Sequence, residues 1–311
     1  MEQKVLVIGG ATYDITASIL GTPVPCDSNP SRIYGGAGGV GRNIAENIAR
    51  MGVKTAMLTA FGDDAFSSAL IDSCEQVGMD VSQAIRFQNE SSGIYLSIMD
   101  RAGELQYAAS DLTLIEKIPC AEFEKRADYI RSFPYLMLDA NLTEPMLKTI
   151  ALLTDAKIVC DAVSVTKAVR LRSILPRIEA IKVNRAELAA MSGVEIQSSD
   201  DVKRAAEILL SEGVRRVFVT MGVDGSCCIS GQGTAVCPAF PVIVVNVTGA
   251  GDAFTAAVTC GLLRGDPDEK ILRLGTAASH IALQSEKAVS PEMNAEALYR
   301  IYESFCGTEK Q

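Results

Sequence analysis

Histidine and paired cysteines are scarce in this sequence. His280 is the only histidine in 311 residues, and the nine cysteines are scattered, with no Cys-x-x-Cys spacing. A zinc site is therefore disfavoured, because its usual ligands do not cluster along the chain. An odd number of scattered cysteines also argues against a disulfide framework. We interpret them as reduced thiols that pack as small apolar side chains.

Positive charge and long apolar runs are also lacking. The 38 Asp and Glu residues outnumber the 29 Lys and Arg residues, which gives a formal net charge of -9 and a pI near 4.9. This balance argues against binding to nucleic acid or to an anionic membrane surface. The apolar run near the N-terminus is too short for a signal peptide, and no stretch approaches the length of a membrane span. We therefore expect a cytoplasmic protein with neither kind of partner.

Linkers, repeats and low-complexity segments are absent from the sequence as well. A single domain over residues 1–311 is therefore expected. Short β-branched runs, such as residues 4–10, alternate with amphipathic helical patterns, such as residues 41–52. This alternation is typical of an α/β fold in which helices flank a doubly wound, mostly parallel sheet.

Two segments break the alternation. Residues 12–20 and 92–109 show the period of half-exposed strands, and a turn at residues 101–103 divides the second segment. Such strands do not suit a parallel sheet that is buried on both faces. We predict that insertions at about 12–34 and 92–109 form a small separate β-sheet, which acts as a lid over a cleft.

The stretch NVTGAGDAF places glycines and a carboxylate at the start of a predicted helix. The β-branched run at residues 242–246 predicts a strand before it. The first N–H groups of a helix have no intrahelical partner and lie at the positive end of its dipole, so backbone at Gly249, Ala250 and Gly251 is suited to an anion. Asp252 would then lie beside that anion, within reach of an attacking hydroxyl.

This combination suits phosphoryl transfer, in which catalysis is mostly positioning plus donors aimed at developing negative charge. An aspartate with an ordinary pKa of roughly 4 is a weak base, but it is adequate when the hydroxyl proton leaves late in the reaction. We therefore predict that Asp252 is the general base. The structural alternative is that Asp252, in the first turn of the predicted helix, only complements the helix dipole. A non-catalytic ligand-binding module is disfavoured, because base and anion hole are both present.

The glycine cluster GGAGGVGRN contains a formal Gly-x-Gly-x-x-Gly from Gly36 to Gly41. Asp63 and Asp64 follow about where the ribose-binding acid of an NAD-dependent enzyme would lie. The context argues against that alternative, because a polar segment broken by Pro30 precedes the cluster instead of a buried strand. A Walker A loop is absent from the sequence.

Interpreted as Gly-Gly-x-Gly-x-Asn, residues 38–43 combine with TGAGDAF into a different pattern. Together they resemble the two signatures of the ribokinase-like (PfkB) family of sugar and nucleoside kinases, and the resemblance covers nearly the whole chain. It implies a ribokinase-like fold with a lid, ATP and Mg²⁺ as cofactors, and transfer of the ATP γ-phosphate to an alcohol of a small sugar or nucleoside.

The resemblance also implies roles for further residues. The expected ligands of the acceptor hydroxyls are Asp14, Gly38, Gly39 and Asn43. The expected contacts of ATP are Asn184, Thr220, Gly222, Gly225, Gly249 and Gly251. Asn184 and Glu187, three residues apart, would hold Mg²⁺ through water. Asn246 stands where most relatives have an aspartate beside a monovalent-cation site, so a K⁺ site there would lack the usual charge.

Within the family, the stretches LDANLTE and DAVSVTKAVRL resemble the branch that acts on the nucleoside pseudouridine. This implies transfer to the 5′-hydroxyl of free pseudouridine, with ribose, another nucleoside or another sugar as the alternative acceptor. The candidates for reading the base are Asn29, Asn141, Ser164, Lys167 and, less directly, Asp111. Family analogy also predicts a homodimer formed through the lid, and His280 is expected to be a packed helix residue.

Overall fold

A computed structural model describes residues 3–308, and residues 1, 2 and 309–311 of the predicted domain lie outside the described part. The strands, in chain order, are β1 (Lys4–Ile8), β2 (Thr12–Ile19), β3 (Ser31–Gly38), β4 (Lys54–Leu58), β5 (Ala60–Phe61), β6 (Ile85–Arg86), β7 (Gly93–Met99), β8 (Leu105–Asp111), β9 (Tyr135–Asp139), β10 (Lys157–Asp161), β11 (Ile178–Asn184), β12 (Arg216–Thr220), β13 (Ser226–Ser230) and β14 (Gly233–Cys237). The helices are α1 (Val40–Arg50), α2 (Ala65–Gln76), α3 (Thr113–Glu116), α4 (Cys120–Lys125), α5 (Ala127–Arg131), α6 (Glu144–Leu153), α7 (Val165–Ala168), α8 (Arg185–Ser192), α9 (Ser199–Ser211), α10 (Ala250–Arg264), α11 (Asp268–Leu283) and α12 (Ala295–Thr308), with 3₁₀ turns at Val169–Arg177 and Gly222–Asp224.

Eight strands form the large sheet, in the order β14-β13-β12-β11-β10-β9-β1-β4. The neighbours from β4 to β12 are parallel, and β13 runs antiparallel to both of its neighbours. The prediction of a mostly parallel α/β sheet flanked by helices is confirmed. None of the helices within residues 3–308 is long and apolar enough to cross a membrane.

Side chains of the central strands are buried on both faces of this sheet. In β1, Leu6 and Ile8 belong to one hydrophobic core, whereas Val5 and Val7 belong to the core on the opposite face. All four side chains are fully buried. Alternation of side chains along a strand therefore explains why the strand is apolar throughout instead of at every second residue.

The predicted small sheet is present, with the strand order β3-β2-β7-β8. Its two faces differ in character. Asp14 and Thr16 alternate with Ile15 and Ala17 along β2, and Thr16 pairs with Ser97 across the strands, where their hydroxyls lie 2.8 Å apart. One face of the sheet is therefore polar and carries Asp14, and the other is apolar.

The prediction of a strand at residues 242–246 was wrong. This segment is an irregular loop between β14 and α10, and Ile243 is 86% exposed. Its backbone is not bonded as a strand to the edge of the sheet; the Val245 N–H donates to the carbonyl of Leu283 at the end of α11. The apolar run gave a local preference for β structure, but the segment lacks the neighbouring strand that a β ladder requires.

Candidate active site

The candidate site lies where the parallel strands of the large sheet end. Asp139, Asp161 and Asn184 are the last residues of β9, β10 and β11, which are neighbours in the sheet. Because parallel strands present their carboxyl ends at one edge, these polar side chains come from different parts of the chain to the same edge. The N-terminal parts of α1 and α10 border it: Gly41 in α1 would contact Asp139 if it had a Cβ, and Thr255 in α10 donates to Asp161.

The start of α10 has the backbone geometry that the glycine motif predicts. Gly249 caps the helix with a left-handed φ of 85°, and a Cβ on it would lie 1.8 Å from the carbonyl oxygen of Ala288. Only glycine fits both conditions. The first N–H groups of the helix lack intrahelical acceptors, so they can bind an anion.

Asp252 lies in this first turn and is only partly exposed. Its Oδ2 accepts a hydrogen bond of 2.9 Å from Nδ2 of Asn43, which is buried in α1. Burial, together with the nearby charge of Asp161, raises the pKa of Asp252 to about 7, against the opposing effects of Asn43 and Lys182. Both signature motifs therefore meet at one carboxylate that is able to gain and lose a proton near neutral pH.

Lys182 is a component of this site that none of the sequence motifs indicated. It lies in β11 with a side chain only 9% exposed, and its Nζ is 3.4 Å from Oδ2 of Asp161. A Cβ on Gly251 would lie 2.8 Å from Nζ, so the ammonium reaches the first turn of α10. Burial alone would lower the pKa of Lys182, but Asp161, Glu187 and Asp252 raise it overall and keep the ammonium charged. The available signal was a lysine inside an otherwise buried strand, which is rare without a specific partner.

Asp161 is the buried partner of this lysine. Its Oδ2 also accepts a hydrogen bond of 2.6 Å from the hydroxyl of Thr255 in α10, and its Oδ1 accepts one from the N–H of Val163. Val163 has a φ of 62°, which is strained for a β-branched residue. The carboxylate therefore fixes both α10 and the turn that leads into α7.

Asp14 lies on the polar face of the small sheet, beside the glycine cluster. The Thr12 hydroxyl donates to its Oδ1 at 2.6 Å, and a Cβ on Gly38 would overlap its carboxylate. Burial raises the pKa of Asp14 to about 6, although Thr12 and Arg42 oppose the rise. Gly39, with a φ of 93°, turns the chain from β3 into α1.

Two of the candidates for reading the base are brought together. Nζ of Lys167 donates to Oδ1 of Asn141 at 2.7 Å, and Nδ2 of Asn141 donates to Oδ2 of the buried Asp139 at 3.0 Å. Asp139 therefore fixes which end of the amide faces the lysine. Burial lowers the pKa of Lys167, and the charge of Asp139 opposes that effect.

The other three candidates bond mainly within their own segments. Both ends of the Asn29 amide are bonded to backbone of residues 24–27. Asp111 accepts hydrogen bonds from the N–H and hydroxyl of Thr113. Ser164 precedes α7, and its hydroxyl lies 3.4 Å from that of Thr166. The contacts of these three residues therefore give them local roles in turns.

Asn184 and Glu187 form a reciprocal capping box at the start of α8. The Asn184 side chain accepts from the N–H of Glu187, and Oε2 of Glu187 accepts from the N–H of Asn184 at 2.8 Å. Burial raises the pKa of Glu187, and Lys182 opposes that rise. Within the described part of the chain, no group of three or more His, Cys, Asp and Glu side chains converges as a metal site.

The remaining nucleotide-side candidates differ in their surroundings. Gly222 faces open space after β12, whereas a Cβ on Gly225 would lie 2.2 Å from the carbonyl oxygen of Cys237, so Gly225 is required for packing. The Thr220 hydroxyl lies 3.5 Å from the carbonyl oxygen of Val183. Asn246 accepts from the N–H of Thr248 and donates to the carbonyl of Glu286, so both ends of its amide are engaged.

His280 lies on α11, edge-on beside the stacked rings of Phe240 and Phe305. The centroids of Phe240 and Phe305 are 6.4 Å and 5.6 Å from its ring, and burial lowers its pKa. These contacts match the expected packed helix residue.

Comparison with known proteins gives matches over nearly the whole chain. The model of the pfkB family of carbohydrate kinases matches residues 2–295. Pseudouridine kinase from Escherichia coli (strain K12) is 31% identical over 299 residues, which cover 94% of this chain and 95% of that protein. A carbohydrate kinase from Agrobacterium tumefaciens has a TM-score of 0.85 at 28% identity, covering 97% of each chain. Arabidopsis thaliana ribokinase, complexed with ribose and ATP, has a TM-score of 0.85 at 19% identity, covering 97% of this chain and 99% of that chain.

Proposed function

The chain belongs to the pfkB family of carbohydrate kinases, and on that premise we propose that it transfers the γ-phosphoryl group of ATP to the 5′-hydroxyl of free pseudouridine. The family gives the general activity, a phosphotransfer to an alcohol of a sugar or nucleoside. The observation that carries the mechanism is Asp252, a carboxylate of raised pKa in the first turn of α10, hydrogen-bonded to Asn43.

In the proposed reaction, Asp252 accepts the proton of the 5′-hydroxyl as the oxygen attacks the γ-phosphorus. A new O–P bond forms, the bond from the γ-phosphorus to the β,γ-bridging oxygen breaks, and ADP leaves with that oxygen. The N–H groups of residues 249–252 stabilise the charge on the transferring group, since they are fixed donors at a helix N-terminus. Asp14 on the polar face of the small sheet accepts hydrogen bonds from the ribose hydroxyls, and Gly38 leaves room for the Asp14 carboxylate itself. Gly39 turns the chain into α1 beside it.

The nucleotide side follows from α8 and from the turn after β12. Asn184 and Glu187 would hold Mg²⁺ through water, which suits an ion that keeps several of its waters and prefers oxygen ligands. When bound, Mg²⁺ neutralises phosphate charge. Thr220 and Gly222 border the space for ATP, and Gly225 shapes the turn that positions them. Because Asn246 is neutral and its amide is engaged at both ends, we expect at most weak activation by K⁺.

Selection of the base rests on Lys167 and Asn141. Pseudouridine presents two ring N–H donors and two carbonyl acceptors, whereas uridine has lost one of those donors to the glycosidic bond. A charged lysine held by an oriented amide is suited to a carbonyl of that ring, and a site built from such groups rejects bases that leave them unpaired. The contacts of Asn29, Ser164 and Asp111 give less support to a direct role in reading the base.

Initial rates of ADP formation with pseudouridine, uridine, adenosine and ribose test this proposal. We expect the highest kcat/KM for pseudouridine, and we expect Lys167→Met, which removes a donor to a base carbonyl, to reduce the preference for pseudouridine over ribose, which has no base, by at least about tenfold. Lys203→Met, at an exposed position of α9, is the matched control and should leave the preference unchanged. Higher kcat/KM for ribose or adenosine would reject pseudouridine as the substrate and retain the general kinase activity.

The apolar face of the small sheet supports a homodimer formed through the lid. Ile33, Ala17, Ile98 and Tyr107 pair in one row across the four strands, with Ile33 71% and Tyr107 73% exposed. Such a face is suited to the same face of a second copy around a two-fold axis. In that arrangement, the polar face with Asp14 remains directed at the cleft.

A further inference from the structure

The close approach of Lys182 to Gly251 is not explained by the ion pair with Asp161. Nζ of Lys182 is 3.4 Å from Oδ2 of Asp161, longer than the roughly 2.7–2.9 Å of a charge-assisted hydrogen bond. Asp161 has a closer partner on that same oxygen, the hydroxyl of Thr255 at 2.6 Å. The ammonium instead lies beside the first turn of α10, in the space that a side chain at position 251 would fill.

The charges around the proposed phosphate position favour a protein cation there in addition to Mg²⁺. Asp252 lies in the same turn, and Oδ2 of Asp161 is 3.4 Å from Nζ of Lys182. A γ-phosphate placed against the N–H groups of residues 249–252 would therefore approach two acidic side chains. Helix N–H groups carry only about half a unit of positive charge, so they offset a small part of this repulsion.

We infer that Lys182 is a phosphate-binding residue, whose ammonium passes beside Gly251 and contacts the γ-phosphoryl group of ATP. This inference rests on the proposed binding of ATP at the start of α10. Lys182 holds the transferring group from the side of the sheet, while the helix N–H groups hold it from the side of α10. Asp161, which is held by the Thr255 hydroxyl, offsets the charge of the ammonium without a close hydrogen bond to it. Gly251 is glycine because a Cβ would displace this ammonium.

Affinities for ADP and for β,γ-imido-ATP, measured by calorimetry in the presence of Mg²⁺, test the inference. In Lys182→Met, the affinity for β,γ-imido-ATP should fall at least tenfold relative to that for ADP, because only the analogue carries a γ-phosphate. Lys182→Arg, which keeps the charge, should restore a substantial part of the difference. kcat of Lys182→Met should fall by about 10²–10³, as when one donor to a developing charge is removed. Lys203→Met is the control for loss of a lysine charge.

The two affinities come from the same preparation, so partial unfolding does not change their ratio. If Lys182→Met fails to bind ADP, the double variant Lys182→Met/Asp161→Asn removes the buried unpaired carboxylate and is measured in the same way. An unchanged ratio of affinities in a variant that binds ADP would overturn the inference. A wild-type protein that binds neither nucleotide would instead contradict the proposed function, which separates the two failures.

Discussion

Asp252 combines two properties that depend on its surroundings, access to the cleft and an unusually high pKa. Burial and the charge of Asp161 disfavour the ionised form, which raises the pKa to about 7. A carboxylate with this pKa is a stronger base than an ordinary aspartate, and about half of it is still ionised near neutral pH. The hydrogen bond from Asn43 favours the ionised form and limits the rise.

The pH dependence of turnover should report this carboxylate. Only the ionised form accepts the proton, so kcat should rise with pH and level off above about pH 7. Asn43→Leu removes the donor that favours ionisation, so it should move the midpoint to higher pH. Asp252→Asn should lower kcat by about 10²–10⁴ with little change in nucleoside affinity. Initial rates between about pH 5 and pH 9 measure the profile, and a flat profile would contradict the assignment of the base.

Thermal unfolding gives an independent control for this prediction. A carboxyl group with a pKa raised by folding stabilises the protein below its unfolded pKa near 4, and that contribution is lost as pH rises through about 7. The asparagine of Asp252→Asn does not ionise, so this variant has no such loss of stability as pH rises. The variant should therefore melt above the wild type at about pH 8, with a difference that shrinks towards about pH 4.

At the scale of elements, substitutions of the two glycines at the start of α10 should have different effects on stability and turnover. Gly249→Ala forces a side chain into a left-handed conformation and against the Ala288 carbonyl, so it should cost at least about 2 kcal/mol of unfolding free energy. Gly251→Ala has no such φ requirement and meets the flexible end of Lys182. It should therefore lower kcat with a small change in Tm. Denaturation and rate measurements on both variants test the contrast, and equal losses of stability would contradict it.

The start of α8 allows capping and metal binding to be separated. Glu187→Gln keeps a side-chain oxygen for the Asn184 N–H, since glutamine also completes a capping box, but it removes the charge. Its Tm should stay close to that of the wild type, while the Mg²⁺ concentration for half-maximal activity rises about tenfold or more. Glu187→Ala removes the capping oxygen as well as the charge, so its Tm should fall and its Mg²⁺ requirement should rise. Unchanged Mg²⁺ dependence in Glu187→Gln would assign the residue to capping alone.

These elements also show where sequence reasoning succeeds. The spacing of apolar and polar residues predicted the buried strands and the separate sheet, because this spacing follows directly from which side chains are buried. The apolar run at residues 242–246 gave a wrong prediction of a strand, because β propensity does not show whether a neighbouring strand exists. Lys182 was missed because its partners, Asp161 and Gly251, are distant in sequence and meet it only through strand order. The meeting of Asn43 and Asp252 was implied only by the resemblance to a family, since 209 positions separate them.

For the whole molecule, a net charge of -9 opposes the binding of a polyanion such as ATP. The proposed site therefore depends on local positive charge from the N-terminus of α10, Lys182 and bound Mg²⁺. The acidic surface also affects self-association. Apolar contact suits a dimer of such an acidic chain, and the small sheet offers an exposed apolar face at Ile33 and Tyr107.

Sedimentation velocity tests the dimer, with wild type expected to sediment as a dimer at micromolar concentration. Ile33→Asp places a charge in the apolar face of both copies, and two such losses of about 2 kcal/mol each should weaken association by about 10³-fold or more. Tyr34→Asp changes the next residue, which is 60% exposed but lies on the opposite face with Thr16, so it should remain dimeric. If both variants are monomeric, the added charge disturbs the small sheet as a whole, and the result does not assign the interface to the apolar face. If neither does, the subunits associate elsewhere or the protein is a monomer, and the lid is free in either case.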